Sequence, residues 1–170
     1  MDTDPLALLF RDSAPLFAIV DGARRKSFAA ELSCLNLPGQ SLYAGDAAED
    51  LGDAGPYLVE IPRYDPIWAT WARETWGTRV ATYLTCTLPF AEVRQHLRKF
   101  LIVELEPGGT AFFRFYDPRV LQLFLPTCRE DEWTTFFGPI DAFLVARADD
   151  LALLRYRRTA HGCAAELMHP

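Results

Sequence analysis

The sequence predicts a single α/β domain: a mixed β-sheet with βα units at the front, antiparallel hairpin strands behind, and helices packed on the sheet. Three observations predict this class. Short apolar runs alternate with amphipathic segments through the first hundred residues, which is typical of βα units. Later apolar runs are separated only by turn residues, at 107–110 and 149–150, which predicts hairpins. Finally, 170 residues, half of them hydrophobic, suffice for one sizeable core.

Each element is predicted by its own pattern. Continuous apolar runs rich in β-branched and aromatic residues predict strands, and apolar positions three or four residues apart predict helices. In chain order we expect a strand at 17–21, a helix at 24–35, a strand at 41–43, a short acidic helix at 46–51, a strand at 57–61, a helix at 66–76, a strand at 80–86, a helix at 89–100, strands at 100–106 and 111–116, helices at 118–125 and 129–137, and strands at 140–146 and 151–157. The domain is therefore predicted over residues 14–158, after an N-terminal segment at 1–13 and before a flexible C-terminal tail at 159–170.

Two helices begin at the same dipeptide. Asp65-Pro66 and Asp117-Pro118 each place an aspartate before a proline. The aspartate carboxylate accepts hydrogen bonds from the free N–H groups of a helix's first turn, and proline at the first helical position needs no such bond. Residues 112–116 are therefore predicted to be a strand that leads directly into a helix, with Arg114, Asp117 and Arg119 clustered where the two meet.

Composition restricts the classes of partner and site. The net charge of −6 argues against nucleic acid and anionic membrane as partners. No apolar stretch reaches the roughly 18 to 20 residues that a membrane helix needs, and the acidic N-terminus does not resemble a signal peptide, so we expect a cytoplasmic protein. The cysteines show no paired CxxC spacing, and histidines are scarce. We therefore expect no metal site and no cofactor.

Catalysis has one candidate set of residues. Asp21, Glu60 and Asp117 each lie at or near the carboxyl end of a predicted strand, where open α/β sheets usually bind ligands. Converging there, they could hold Mg²⁺ or act as acid and base, which would make the chain a small α/β enzyme. The sequence has no Gly-rich phosphate loop and no elbow-like nucleophile motif. We therefore expect no enzyme and no catalytic residue, and the carboxylate cluster is the alternative.

Aromatic residues are the remaining candidates for a binding site. The chain has 4 tryptophans and 12 phenylalanines, more than a small core readily buries. We expect some of them to line a groove for an apolar helix or peptide of a partner. Trp71 and Trp133 are the candidates for exposed aromatics, because each has polar neighbours in the sequence.

The segment Phe-Phe-Arg-Phe-Tyr-Asp-Pro-Arg-Val-Leu, residues 112–121, resembles the signature of the DUF4123 family. Further segments resemble other blocks of the same family in the expected order: residues 16–23, residues 42–45 with 55–61, residues 76–77 and residues 136–140. The resemblance covers roughly residues 14–147.

The resemblance implies an adaptor chaperone of the bacterial type VI secretion system. Such a protein captures a secreted effector and helps deliver it to the VgrG spike. Carried over to this chain, it implies that Arg114, Tyr116, Asp117 and Arg119 are the preserved scaffold of the partner-binding site, which either contacts the effector or only shapes the fold. An immunity-type protein that neutralises a toxin is a further alternative.

Overall fold

The computed structural model describes residue 4, residues 6–45, residue 48, residues 51–160 and residues 162–170. Within this part, the helices are α1 (Leu6–Leu9), α2 (Phe28–Cys34), α3 (Pro66–Thr75), α4 (Phe90–Arg98), α5 (Pro118–Phe124) and α6 (Glu130–Phe137). The strands are β1 (Leu16–Asp21), β2 (Gly39–Ser41), β3 (Pro56–Ile61), β4 (Ala81–Thr85), β5 (Ile102–Glu104), β6 (Thr110–Phe112), β7 (Ala142–Ala146), β8 (Leu153–Thr159) and β9 (Gly162–Met168). The acidic helix predicted at 46–51 lies largely outside the described residues.

The predicted class, one α/β domain with helices packed on a sheet, is confirmed. The main sheet has the order β2-β3-β1-β4-β7-β8-β9, and β5 and β6 form a separate ribbon. Strand directions differ from the predicted mixed sheet, because every pairing among the described strands is antiparallel. The βα units nevertheless exist. β3 and β4 run in the same direction and are joined by α3, but β1 lies between them.

Helices cover both faces of the sheet. All six residues of β1 are buried, and successive side chains point to opposite faces. Leu16, Ala18 and Val20 pack in a cluster that includes side chains of α1, α2 and α3. Phe17 and Ile19 pack in a second cluster with side chains of α4, α5 and α6. The continuous apolar run that predicted β1 therefore follows from a strand buried on both sides.

Both predicted helix starts are confirmed. The Asp65 carboxylate accepts hydrogen bonds from the N–H groups of Ile67 and Trp68 at the start of α3. The Asp117 carboxylate accepts one from the N–H of Arg119 at the start of α5. These caps depend on only a few consecutive residues, and they can therefore be predicted from the sequence.

The strand predicted at 111–116 is wrong over most of its length. β6 ends at Phe112, and the next residues form a turn in which the N–H of Asp117 donates to the carbonyl of Arg114 at 2.9 Å. Phe115 and Tyr116 are consecutive, yet both side chains are buried in the same cluster. A strand would send them to opposite faces, so packing of both aromatics in one core requires the turn.

Residues 6–9 and 162–168 belong to the fold, in contrast to the predicted boundaries. Residues 162–168, predicted to be part of a flexible tail, form β9, which pairs with the whole of β8. Gly162 allows the close approach that starts β9, because a Cβ there would lie 2.0 Å from Cζ3 of Trp133. Leu6, Leu8 and Leu9 of α1, within the predicted N-terminal segment, are buried in the core. No described helix has both the length and the apolar character needed to cross a bilayer.

Candidate functional site

A cluster of charged residues, here called the charged hub, lies where β1 ends and α5 begins. Asp21 is the last residue of β1, and Asp117 is the N-cap of α5. The hub consists of these two aspartates with Arg24, Arg114 and Arg119. The structure thus brings together the predicted cluster of Arg114, Asp117 and Arg119, and adds Asp21 and Arg24 to it.

Asp21 is the most deeply buried charge of the hub. Its side chain has no exposed surface, and its Oδ2 accepts a hydrogen bond from Nη2 of Arg114 at 2.5 Å. Its Oδ1 accepts one from the N–H of Ala23 at 3.0 Å, and Nε of Arg24 lies 3.6 Å from Oδ2. A buried carboxylate is stable only when such partners replace the water that would otherwise solvate it. Asp21 therefore needs Arg114 as a partner, and their hydrogen bond holds the Arg114 side chain in place.

Asp117 is held in a similar way by Arg119. Nε of Arg119 donates to Oδ1 at 3.1 Å and Nη2 donates to Oδ2 at 2.6 Å, a two-point contact between planar groups. Nη2 of Arg24 lies 3.5 Å from Oδ2 of Asp117, so Arg24 bridges the two aspartates. Burial opposes ionisation of Asp117, but Arg119 and Arg24 outweigh it and hold the pKa of the carboxyl below its usual value.

Tyr116 connects the hub to the sheet. Its carbonyl accepts a hydrogen bond from the hydroxyl of Thr82, a buried residue of β4, at 2.8 Å. The guanidinium of Arg114 lies 5.7 Å from the centre of the Tyr116 ring, within cation–π range. Burial, followed by a hydrogen bond with Tyr43, raises the pKa of the Tyr116 hydroxyl. Tyr116 is therefore neutral at physiological pH and anchors the turn between β6 and α5.

The predicted convergence of three carboxylates is wrong for Glu60. β1 and β3 are antiparallel, and Glu60 is paired with Phe17, whereas Asp21 is paired with Pro56. Glu60 therefore lies near the opposite end of the sheet from Asp21. Its side chain is exposed. Asp21 and Asp117 do lie close together, but their carboxylate oxygens accept hydrogen bonds from Arg114 and Arg119. Among the described residues, no group of three or more His, Cys, Asp or Glu side chains is placed to hold a metal ion.

Trp71 is not exposed, which corrects that prediction. Its side chain has only 6% of its surface accessible and packs against Phe28 and edge-to-face against Trp68. The reason is that Trp71 and Trp68 both lie on the side of α3 that faces the core, despite the polar residues next to Trp71 in the sequence. Trp133 is half-buried, and its indole N–H donates to the carbonyl of Leu125 at 2.7 Å.

Trp71 nevertheless lies at a surface depression between α2 and α3, here called the apolar groove, with a volume of about 480 Å³. Aromatic side chains form its base, and Leu35 and Ile67 lie at its rim with 50% and 42% of their surface exposed. The buried indole nitrogens of Trp68 and Trp71 have no hydrogen-bond partner among the described residues. The groove is lined by Arg25, Phe28, Glu31, Leu35, Leu37, Pro66, Ile67, Trp68, Thr70, Trp71 and Glu74.

Charges border this groove on one side. Arg25 forms an ion pair with Glu31 at 2.9 Å and lies 3.9 Å from Glu74. One arginine therefore faces two carboxylates, and the border of the groove carries an acidic excess. The groove can accept an apolar side chain at its base and a basic group at its border.

Sequence reasoning missed several members of these sites. Arg24 follows Asp21 by three residues in a turn, a spacing that could have suggested the ion pair. Tyr43 and Thr82 are brought to Tyr116 only by the fold, because they come from distant parts of the chain. The sequence indicates Leu35 and Ile67 less clearly than Arg24, because the only hint is that each is an apolar residue at a helix end, Leu35 at the end of α2 and Ile67 at the beginning of α3.

Comparison with known proteins gives one match. Residues 16–135 match the family described as Domain of unknown function (DUF4123), over more than half of the chain. This range contains β1, the apolar groove and the whole of the charged hub. No curated protein and no solved structure matches the chain significantly.

Proposed function

Because this chain belongs to the DUF4123 family, we propose that it is a cytoplasmic adaptor chaperone of a type VI secretion system. In this role it binds a cognate effector and helps load it onto the VgrG spike, without catalysing a reaction. The observation that carries the proposal is the apolar groove between α2 and α3.

The groove suits an apolar segment of the effector. Its volume of about 480 Å³ lies within the range typical of ligand-binding pockets, roughly 300–1,000 Å³. Its aromatic base is rigid, so little conformational entropy is lost on binding. Leu35 and Ile67 expose apolar surface that a bound segment would cover. An effector segment of this kind would otherwise expose its apolar surface to water before secretion.

The arrangement of the charged hub favours a structural role over a catalytic one. A general base or a metal ligand needs a carboxylate oxygen that is free to meet its substrate or ion. Asp21 and Asp117 instead accept hydrogen bonds from Arg114 and Arg119 and cap a turn and a helix. We propose that the hub holds the first residues of α5 against the end of β1 and thereby maintains the fold.

The proposal is tested by co-expressing this chain with the effector and VgrG encoded beside it, and isolating the complex through a tag on this chain. We expect the effector to be recovered in soluble form with this chain and to be insoluble without it. Ile67→Asp places a charge at the groove rim and should abolish recovery. Leu123→Asp is the matched control, because Leu123 is 75% exposed on α5 and lies outside the groove.

Recovery of the effector by Ile67→Asp at the wild-type level would exclude the groove as its binding site. Absence of any complex with the wild-type chain would exclude the adaptor role. An immunity-type protein gives a different result, because it would bind a toxin encoded directly before it and inhibit that toxin's activity.

A further inference from the structure

A second depression, here called the basic cleft, lies at the same end of the sheet as the charged hub. Its volume is about 310 Å³. The loop before β4, the start of α5 and the loop after β7 form its walls. It is lined by Gly77, Arg79, Pro118, Arg119, Gln122, Ala146, Arg147, Ala148 and Asp149.

The walls of the cleft are fixed by close contacts. Gly77 has a φ of +66°, and a Cβ at this position would lie 2.5 Å from Cα of Ala148, so the two loops touch where only glycine fits. Next to it, the indole N–H of Trp76 donates to the carbonyl of Arg147 at 3.0 Å. The cleft is therefore formed before a ligand arrives.

Three arginines and a single aspartate line the cleft. Arg119 uses Nε and Nη2 for Asp117, yet its side chain is 52% exposed, which leaves further N–H donors for a ligand. Nε of Arg147 lies 3.4 Å from Asp150. Arg79 is exposed, and its side chain forms no ion pair or hydrogen bond within the described residues. The lining of the cleft thus carries three positive charges and one negative charge, and Asp117 and Asp150 pair with two of the three arginines.

We propose that the basic cleft binds carboxylate side chains of an acidic peptide segment from a partner protein. Guanidinium groups bind carboxylates through paired N–H···O bonds, which matches three arginines around one small depression. Guanidinium groups bind phosphates in the same paired way, so the test below includes inorganic phosphate as a competitor. The overall negative charge of the chain disfavours a nucleic acid, whose long row of phosphates would extend past the cleft.

This inference does not rest on the adaptor role, because its test uses no effector. The probe is a fluorescein-labelled decapeptide of alternating glutamate and serine, and the control probe has glutamine in place of each glutamate. Binding is followed by fluorescence anisotropy at low ionic strength with the full chain. We expect saturable binding of the acidic peptide and at least tenfold weaker binding of the glutamine peptide.

Variants localise the binding. Arg79→Gln and Arg147→Gln should each weaken binding of the acidic peptide about five- to tenfold. Arg98→Gln removes the same charge from the exposed face of α4, outside the cleft, and should change binding less than twofold. Thermal melting of each variant checks that it is folded. Both cleft positions lie in loops, outside helices and strands.

Three results would overturn the proposal. The first is no saturable binding of the acidic peptide to the wild-type chain. The second is equal weakening by Arg98→Gln and by the cleft variants, which would indicate attraction to the whole surface. The third is displacement of the peptide by equimolar inorganic phosphate, which would make the cleft a phosphate site.

Discussion

The charged hub and the apolar groove differ in how far the hydrogen-bonding capacity of their buried polar atoms is satisfied. In the hub, each aspartate oxygen faces a donor: Asp21 accepts from Arg114 and Ala23, and Asp117 accepts from Arg119. In the groove, buried indole N–H groups have no partner among the described residues, while aliphatic side chains at the rim are exposed. The two aspartates, whose oxygens already accept hydrogen bonds from their own chain, have little left to offer a partner, whereas the groove has unused apolar surface.

This difference separates two roles within one domain. The segment at residues 112–121 supplies Arg114, Asp117 and Arg119 to the hub, and it also supplies Tyr116, which connects the hub to the sheet. The groove is formed by α2, α3 and their flanking residues, outside that segment. We infer that the aspartate–arginine contacts of this segment maintain the fold, and that the surface for the proposed effector lies elsewhere in the domain.

The largest expected effect is that of removing the partner of the buried aspartate. Arg114→Met keeps the length of the side chain but leaves the carboxylate of Asp21 with weaker partners. Because a buried charge without its partner is costly, we expect the free energy of unfolding to fall by about 2–4 kcal/mol. Urea denaturation measures this value.

Arg24→Met is the matched control for that variant. Arg24 contacts both aspartates only at 3.5–3.6 Å and is one-third exposed. We expect a loss of at most about 1 kcal/mol. If the two variants lose equal stability, the hub is not organised around the pair of Asp21 and Arg114.

Removing the charge of Asp117 should have an intermediate effect. Asparagine also caps helices well, so Asp117→Asn keeps the start of α5 and loses the ionic contact with Arg119. We expect a loss of about 1–2 kcal/mol at pH 7. The pKa of Asp117 is lowered in the folded state, so its ionisation stabilises the fold above its unfolded pKa of about 4. This contribution disappears as the pH falls through the folded pKa.

Denaturation at several pH values checks this sign. The wild type and Asp117→Asn should differ most at pH 6–7 and converge below about pH 4. A difference that stays constant down to pH 2.5 would show that the charge of Asp117 does not stabilise the fold.

His96 provides a smaller pH effect at a distance from both sites. Burial lowers the pKa of this side chain, and a contact with the carbonyl of Phe136 at 2.8 Å partly opposes the shift. The folded state therefore favours the neutral form. This contribution is complete above the unfolded pKa of about 6.5 and is lost as the pH falls. His96→Gln should remove the part of the stability loss that occurs between pH 7 and pH 5; an unchanged slope would contradict it.

The smallest effect on stability is expected at the groove rim. Ile67 is 42% exposed and lies in the first turn of α3, where an aspartate is favoured by the helix dipole. Ile67→Asp should therefore change the free energy of unfolding by less than about 0.5 kcal/mol. A large loss in urea denaturation would mean that Ile67 belongs to the core and that its use as a binding probe fails.

Local features of the fold could be predicted from the sequence, and non-local ones could not. The caps at Asp65 and Asp117 depend on neighbouring residues and were correct. The position of Glu60 depends on strand direction, which is set by how distant strands pair. β9 pairs along an edge through its backbone, and the small side chains of its first four residues give no clear alternation. Arg114 and Asp21 are 93 positions apart, so only the fold reveals their contact.

The burial of Trp71 illustrates the same limit at one side chain. Its polar sequence neighbours indicated exposure, but the rotation of α3 places Trp71 on the side that faces Phe28. The predicted aromatic groove nevertheless has a counterpart, because buried rings form the base of a surface depression.

The central claim is that the groove, and not the hub, receives the partner. Hydrogen–deuterium exchange of the purified chain, alone and in complex with its co-expressed effector, tests it most directly. We predict slower exchange over residues 28–37 and 66–75 in the complex, and unchanged exchange over residues 113–117. Unchanged exchange at α2 and α3 in a stable complex would contradict the claim.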